Sequence, residues 1–288
     1  MKVAIAQYAC TPDIDTNLAS AEREIAAAGA AGAALVVLPE LHNTPYFCQV
    51  EDPARFDYAE PIPGPSSRRL AEAARAAGVV VVASLFERRA AGLYHNTAVV
   101  LDRDGSLAGR YRKMHIPDDP EYYEKYYFTP GDLGFTPIDT SIGRLGVLVC
   151  WDQWYPEAAR LMALAGAELL IYPSAIGWDD AVDDSAEQQR QLGAWQGVQR
   201  GHAIANGLPV ITSNRVGVEG DHTTQIRFWG HSFMFGCQGE TLADAGEDAE
   251  QLIADIDMHR SETVRRIWPF LRDRRIDAFA DLTRRYRD

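Results

Sequence analysis

The chain is predicted to fold as α/β, in a four-layer α-β-β-α sandwich with internal pseudo-two-fold symmetry. Three observations lead there. Short apolar runs of strand length alternate with Ala-rich helical stretches. The alternation occurs twice, and the two halves align. Each helical stretch stops at a glycine, namely Gly32, Gly78, Gly166 and Gly207. Helices alternating with apolar strands imply a sheet covered on one face by helices, and two such halves can pack sheet against sheet.

The elements follow in order. Residues 2–7 open the first half as a strand, and 144–149 open the second. Helices are expected at about 15–31 and 65–77, then at 156–166 and 186–206, the third opening on Pro156. Residues 31–40 align with 165–174 without a gap: each reads as a helix end, a Gly stop and a short buried strand reaching Pro39 or Pro173. Residues 77–84 resemble 206–213, again a Gly stop and a strand. Segments 95–105 and 231–239 read as hairpins turning at Asp104-Gly105 and Gln238-Gly239. No Pro/Gly/Ser-rich linker separates the halves, so residues 1–264 are expected to form one domain. Residues 265–288 form a C-terminal arm. Its stretch 265–279 is basic and aromatic on an otherwise acidic chain, which suits packing on the domain or on a neighbouring subunit.

Composition narrows the function. The 288 residues can bury a substantial core, and 47% hydrophobic with 24% charged residues is the balance of a globular chain. No run of 18 apolar residues is present, so no membrane-spanning helix is expected. The first residues enter a strand without a signal-peptide pattern. The four cysteines (10, 48, 150 and 237) are far apart with no CxxC pair, which fits a reducing cytoplasm and argues against a zinc ribbon or a disulfide scaffold. A net charge of −13 makes nucleic acid an unsuitable partner and is compatible with a cationic small molecule. There is no HExxH, GxGxxG or GxxxxGK[ST], so neither a metal nor a nucleotide is expected.

Cys150 closes the apolar run 144–150 and precedes the helix opened by Pro156. A thiol at the carboxyl end of a core strand stands where α/β folds place reactive groups. A helix N-terminus just beyond it favours a thiolate. A buried packing cysteine fits the same position. Three further polar residues stand at or near strand ends: Glu40, Lys113 and, in the loop that follows, Glu124. A cysteine nucleophile needs a base, which a desolvated glutamate can be, and a cation or N–H donors for the oxyanion.

Leu38-Pro39-Glu40, Tyr111-Arg112-Lys113-Met114-His115 and Val149-Cys150-Trp151-Asp152, in that order, resemble the Glu-Lys-Cys triad of the nitrilase (carbon–nitrogen hydrolase) superfamily. Glu124 matches the position of that family's second glutamate. The resemblance runs over nearly the whole chain. It implies the αββα fold, a hydrolase of linear amides, and Cys150 as nucleophile with Glu40 as base. It also implies Lys113 and the Trp151 N–H as oxyanion partners, Glu124 as support for Lys113, no cofactor, and a homo-oligomer.

Segments 113–132, 150–160, 195–206, 213–217 and 268–275 resemble the branch acting on N-carbamoylputrescine, which implies a small cationic carbamoyl amine as substrate. Segment 178–184 departs from that branch. For the distal ammonium the acidic candidates are Asp118, Asp119, Glu121, Asp179 and Asp180. The aromatic ones are Tyr46, Tyr123, Trp151 and Trp178, and Ser174 ends a strand close by. A carboxylate-bearing substrate would instead call for Arg215.

Overall fold

The computed structural model describes residues 1–179, 184–220 and 225–287. The first half contains β1 (Lys2–Gln7), α1 (Ile14–Ala30), β2 (Leu35–Val37), α2 (Pro65–Ala77), β3 (Val80–Ala90), β4 (Leu93–Leu101), β5 (Leu107–Arg112) and the one-turn α3 (Glu124–Tyr127). Then come β6 (Ile138–Thr140), β7 (Gly143–Val147), α4 (Pro156–Leu164), β8 (Leu169–Pro173), β9 (Gly177–Asp179), α5 (Ser185–Asn206) and β10 (Val210–Ser213). The chain closes with β11 (Val218–Gly220), β12 (Gln225–Phe228), β13 (Phe233–Phe235), β14 (Thr241–Asp244), β15 (Glu250–Asp255) and α6 (Met258–Ile267).

Two six-stranded sheets form, in the orders β15-β1-β2-β3-β4-β5 and β14-β13-β10-β8-β7-β6. The parallel trio β1-β2-β3 corresponds to β7-β8-β10, and each continues into an antiparallel hairpin, β4-β5 or β13-β14. This is the expected repeat and the expected four-layer sandwich. The first sheet shows why its strands read as unbroken apolar runs. Val3, Ile5, Leu35, Val37, Val80 and Val82 pack in one core with Leu145, Val147, Leu169 and Ile171 of the other sheet. The alternate residues Ala4, Ala6, Val36, Val81 and Ala83 pack against Ile25, Ala28, Leu70 and Ala74 of α1 and α2. Both faces of β1, β2 and the first part of β3 are buried over these runs, so the residues packed there are apolar.

The sequence reading missed how the halves are joined. β6, which ends the first half, pairs antiparallel with β7 in the second sheet, and β15, which ends the second half, pairs antiparallel with β1 in the first. Each half thus lends an edge strand to the other's sheet. Both are edge strands with a polar face, such as Glu-Gln-Leu-Ile-Ala-Asp of β15, and their alternation is too short or too polar to stand out. A small third sheet, β11-β12-β9, was likewise unforeseen.

One boundary is corrected. The run 144–150 is not a strand to its end: β7 stops at Val147, and Cys150 starts a 3-10 turn, Cys150–Trp154, with α4 beginning only at Pro156. Beyond α6, the side chains of Trp268, Phe270, Ile276, Leu282 and Tyr286 are exposed on the single copy.

Candidate active site

The strand ends of the two repeats meet in the middle of the molecule. Glu40 and Ser174 are equivalent in the repeat, and the Glu40 N–H donates to the Ser174 carbonyl at 3.2 Å, tying the end of β2 to the end of β8. The chain after β2 bends sharply at Leu41, whose φ is 48°. Arg215, fully buried, holds that bend: its Nε and Nη2 donate to the Glu40 carbonyl at 3.0 and 2.9 Å, Nη2 also reaches the Leu41 carbonyl, and Nη1 pairs with Glu219 at 2.9 Å. Each guanidinium nitrogen is engaged. The idea that Arg215 receives a substrate carboxylate is therefore corrected, because its donors are spent on backbone and Glu219.

Cys150 lies at φ 41°, in the left-handed region that a side chain bearing Cβ enters at a cost of about 1–3 kcal/mol. Asp152, fully buried, stabilises the turn: it accepts from the Val149 N–H (3.1 Å), the Tyr111 hydroxyl (2.8 Å) and the His115 N–H (3.0 Å), with His115 Nδ1 at 2.7 Å. His115 in turn stacks on Tyr155, centroids 3.7 Å apart. The turn lifts the thiol out of the sheet toward the cavity.

Glu40, Lys113 and Glu124 form one buried set. Lys113 Nζ donates to Glu40 Oε1 at 2.8 Å and to Glu124 Oε2 at 2.6 Å, and all three side chains are essentially without exposure. Asn96 donates to Glu40 Oε1 at 2.7 Å and is itself oriented by the Ser84 hydroxyl at 2.8 Å. The Tyr46 hydroxyl donates to Glu124 Oε1 at 2.7 Å. Glu40 Oε2 has no hydrogen-bond partner among the described residues, leaving one carboxylate oxygen open to take a proton.

The electrostatics follow from burial. Burial pushes the Cys150 thiol well above its ordinary range, Glu40 pushes it further, and Lys113 pulls it down. The thiolate expected from a helix N-terminus is thus corrected: α4 starts six residues away, and desolvation dominates. A thiol so raised needs a base at hand. Burial alone would lower Lys113, but the Glu124 and Glu40 carboxylates outweigh it and hold the ammonium charged well above the usual lysine range. Burial raises Glu124 to about 7 against the pull of Lys113.

Folded Glu124 therefore holds a proton that the unfolded chain has lost, and its contribution to stability declines as pH rises from about 4.5 through 7. Glu124→Gln should lose that slope. Urea unfolding of both proteins between pH 5 and 8 checks it: the wild-type advantage should shrink with rising pH, and an unchanged difference would refute the assignment.

In front of Cys150 lies a cavity of about 520 Å³. Of the expected distal residues, Asp119, Glu121, Trp151, Trp178 and Asp179 line it. Four others do not. Tyr46 is buried behind Glu124, where its hydroxyl is used. Ser174 spends its carbonyl on Glu40, its N–H on Ser213 and its hydroxyl on Gln153. Asp118 faces Lys125, and Tyr123 yields its place to Tyr122, whose hydroxyl bridges the Gly177 N–H and carbonyl. A single-residue shift in an irregular loop is invisible to pattern reasoning. Asp180 lies outside the described residues. The sequence reading also passed over Trp154, Trp229, Asp184 and Glu187 of the lining. It missed Asn96 too, for which the polar run His95-Asn96-Thr97 inside an apolar strand was an available signal.

A poised thiol with a proton acceptor and a charged lysine beside it can take up an acyl group from a carbonyl carbon and pass it to water. The class this fold and site define is that of hydrolases acting on carbon–nitrogen bonds other than peptide bonds. The chain belongs to the carbon–nitrogen hydrolase family, whose model matches residues 2–266. It is 44% identical over 283 residues to N-carbamoylputrescine amidase of Solanum lycopersicum, covering 96% of this chain and 93% of that protein. It is 39% identical over 288 residues to citrullinase of Francisella tularensis, covering 99% of each. It is similar throughout to the crystal structure of a carbon–nitrogen hydrolase from Helicobacter pylori G27, with a TM-score of 0.97 and 53% identity over 100% of this chain and 99% of that one.

Proposed function

We propose that the protein hydrolyses N-carbamoylputrescine to putrescine, carbon dioxide and ammonia, a step of polyamine synthesis. The observation that carries this reading is the cavity lining. Asp119, Glu121, Asp179, Asp184 and Glu187 surround it with Trp151, Trp154 and Trp178, and no Lys or Arg stands among the described lining residues. Acids and aromatic faces suit the distal ammonium of a carbamoyl diamine. The similarity to plant N-carbamoylputrescine amidases supports the same substrate.

In this mechanism the Cys150 sulfur attacks the ureido carbonyl while Glu40 Oε2 takes the thiol proton. Lys113 and the Trp151 N–H receive the negative charge on the oxygen. The proton passes from Glu40 to the departing ammonia, leaving a thioester. Water, deprotonated by Glu40, cleaves it, and the released carbamic acid breaks down to carbon dioxide and amine. Glu124 keeps Lys113 in place.

A second reading is a ureido amino acid such as citrulline, favoured by the full-length similarity to citrullinase. Its carboxylate would require donors, and the indole N–H groups of Trp154, Trp178 and Trp229 at the cavity are without hydrogen-bond partners among the described residues. Ammonia release from N-carbamoylputrescine, citrulline, carbamoyl-β-alanine and a simple amide should be compared by kcat/KM. N-carbamoylputrescine is expected to lead by about tenfold or more, the worth of one well-placed charge contact. A lead for citrulline would select the second reading, and a lead for the simple amide would remove both.

A further inference from the structure

Resting on Cys150 as the nucleophile, we propose that Gln153 is a further catalytic residue, whose side-chain N–H donates to the Cys150 sulfur and stabilises it as a thiolate. Gln153 is fully buried, three residues after the thiol in the same turn, with its Nε2 4.0 Å from Sγ. Its neighbours set the orientation of its amide. The Ser174 hydroxyl (3.1 Å) and Gln199 Nε2 (3.3 Å) both donate to Gln153 Oε1. Gln199 is itself oriented, since the Thr212 hydroxyl donates to its Oε1 at 2.5 Å and its Nε2 also reaches the Trp195 carbonyl at 3.4 Å. His202 Nε2 pairs with the Gln153 carbonyl at 2.8 Å and anchors the main chain. The Ser174 hydroxyl also reaches the Tyr172 carbonyl at 3.4 Å, but the Gln153 oxygen is its nearer acceptor, and with Gln199 donating to the same oxygen the NH₂ faces the sulfur. This chain of buried amides and hydroxyls has no part in the acid–base set, and Ser174, which the sequence placed against substrate, serves in it instead.

The chemistry calls for such a donor. Among the described residues, the ionisable groups that act on Cys150 are Glu40 beyond the end of β2, Lys113 just after β5, Glu124 at the start of α3 and Tyr122 in the loop before it. Glu40 and Glu124 oppose a thiolate, and Lys113 already gives two of its three N–H groups to those carboxylates. A neutral thiol is a weak acceptor, and the resting Sγ sits 3.9 Å from the Ala175 carbonyl. Once the sulfur is charged, the N–H···S⁻ contact strengthens and shortens. An amide does this without adding a cation that would weaken Glu40 as a base. The same contact serves when the thiolate departs from the thioester.

The test is the pH dependence of Cys150 alkylation by iodoacetamide, followed by mass spectrometry of the peptide carrying Cys150, in wild type, Gln153→Met and Gln153→Glu. Both variants preserve the length of the side chain. Met removes the donor; Glu replaces it with a carboxylate. The alkylation midpoint should rise by about one pH unit in Gln153→Met, the worth of one hydrogen bond to a charged group, and further in Gln153→Glu. Turnover kcat should fall about tenfold in Gln153→Met with KM within about twofold. A Gln153 that only supports the fold would lower the melting temperature and leave the midpoint in place, and that result overturns the proposal. If neither variant folds, Ser174→Ala releases the amide and should shift the midpoint in the same direction by less; an unmoved midpoint there overturns it equally. Full turnover by Cys150→Ala would instead remove the nucleophile itself, a separate result from an unmoved midpoint.

Discussion

Replacing Cys150 by alanine is expected to abolish ammonia release, a fall of about 10⁵-fold or more, because covalent catalysis has no substitute atom in the site. The loss should be purely chemical. Alanine keeps the Cβ, and Asp152 holds the turn through Val149, Tyr111 and His115 whatever side chain residue 150 carries. A glycine at the same place separates chemistry from strain. At φ 41° any residue with a Cβ is held against its preference, and glycine is not. Cys150→Gly should be as inactive as Cys150→Ala yet more stable than it by about 1 kcal/mol. Ammonia assays paired with urea unfolding check both halves. Equal stability of the two variants would mean that the turn relaxes once the thiol is gone.

Lys113→Met has the second largest expected effect, on stability as well as activity. Lys113 lies between two carboxylates that are both buried, and removing the cation leaves them uncompensated. The cost of breaking such a pair is about 3–5 kcal/mol. The sign with pH follows from the groups left behind. Without Lys113 the buried carboxylates have no cation facing them, so the variant's deficit is full where they are charged and shrinks as pH falls and protonation relieves the repulsion. In wild type the lysine is raised above its ordinary 10.5, so its contribution is in place throughout the range below that value. Turnover should fall by about 10²–10³-fold or more, the loss of one oxyanion partner, even at acidic pH where the fold recovers. Urea unfolding at pH 5 and pH 8 with parallel assays tests this. A pH-independent deficit would show that protonating the carboxylates does not offset the lost cation.

The parts of the molecule that were legible share one property: their cause is local. The four helices of the repeat, α1, α2, α4 and α5, end at Ala30, Ala77, Leu164 and Asn206, each within two residues of the expected stop, because the left-handed glycines Gly32, Gly78, Gly166 and Gly207 terminate a helix whatever surrounds them. β1, β2, β3, β8 and β10 were visible because both faces are buried and the apolar run is continuous. β6, β9, β11, β12 and β15 were not, since three- to six-residue strands with a polar face owe their conformation to the neighbour they pair with.

The same division runs through the site. Residue order alone placed Glu40, Lys113, Glu124 and Cys150 at or near strand ends, and their types identified them as candidates for one reaction. Which of them touch depended on pairings within the first half, Lys113 with Glu40 and Glu124, and only the packing of the second half against it brought Cys150 to that set. Chain order determined the repeat, the layers and the chemical inventory, because periodicity and helix stops are written into neighbouring residues. Only the tertiary structure decided that Arg215 braces Glu40 instead of meeting substrate, that Ser174 turns to Gln153, and that burial, not a helix dipole, sets the thiol. Burial and hydrogen-bond partnership come from residues distant in the chain, and no local pattern encodes them.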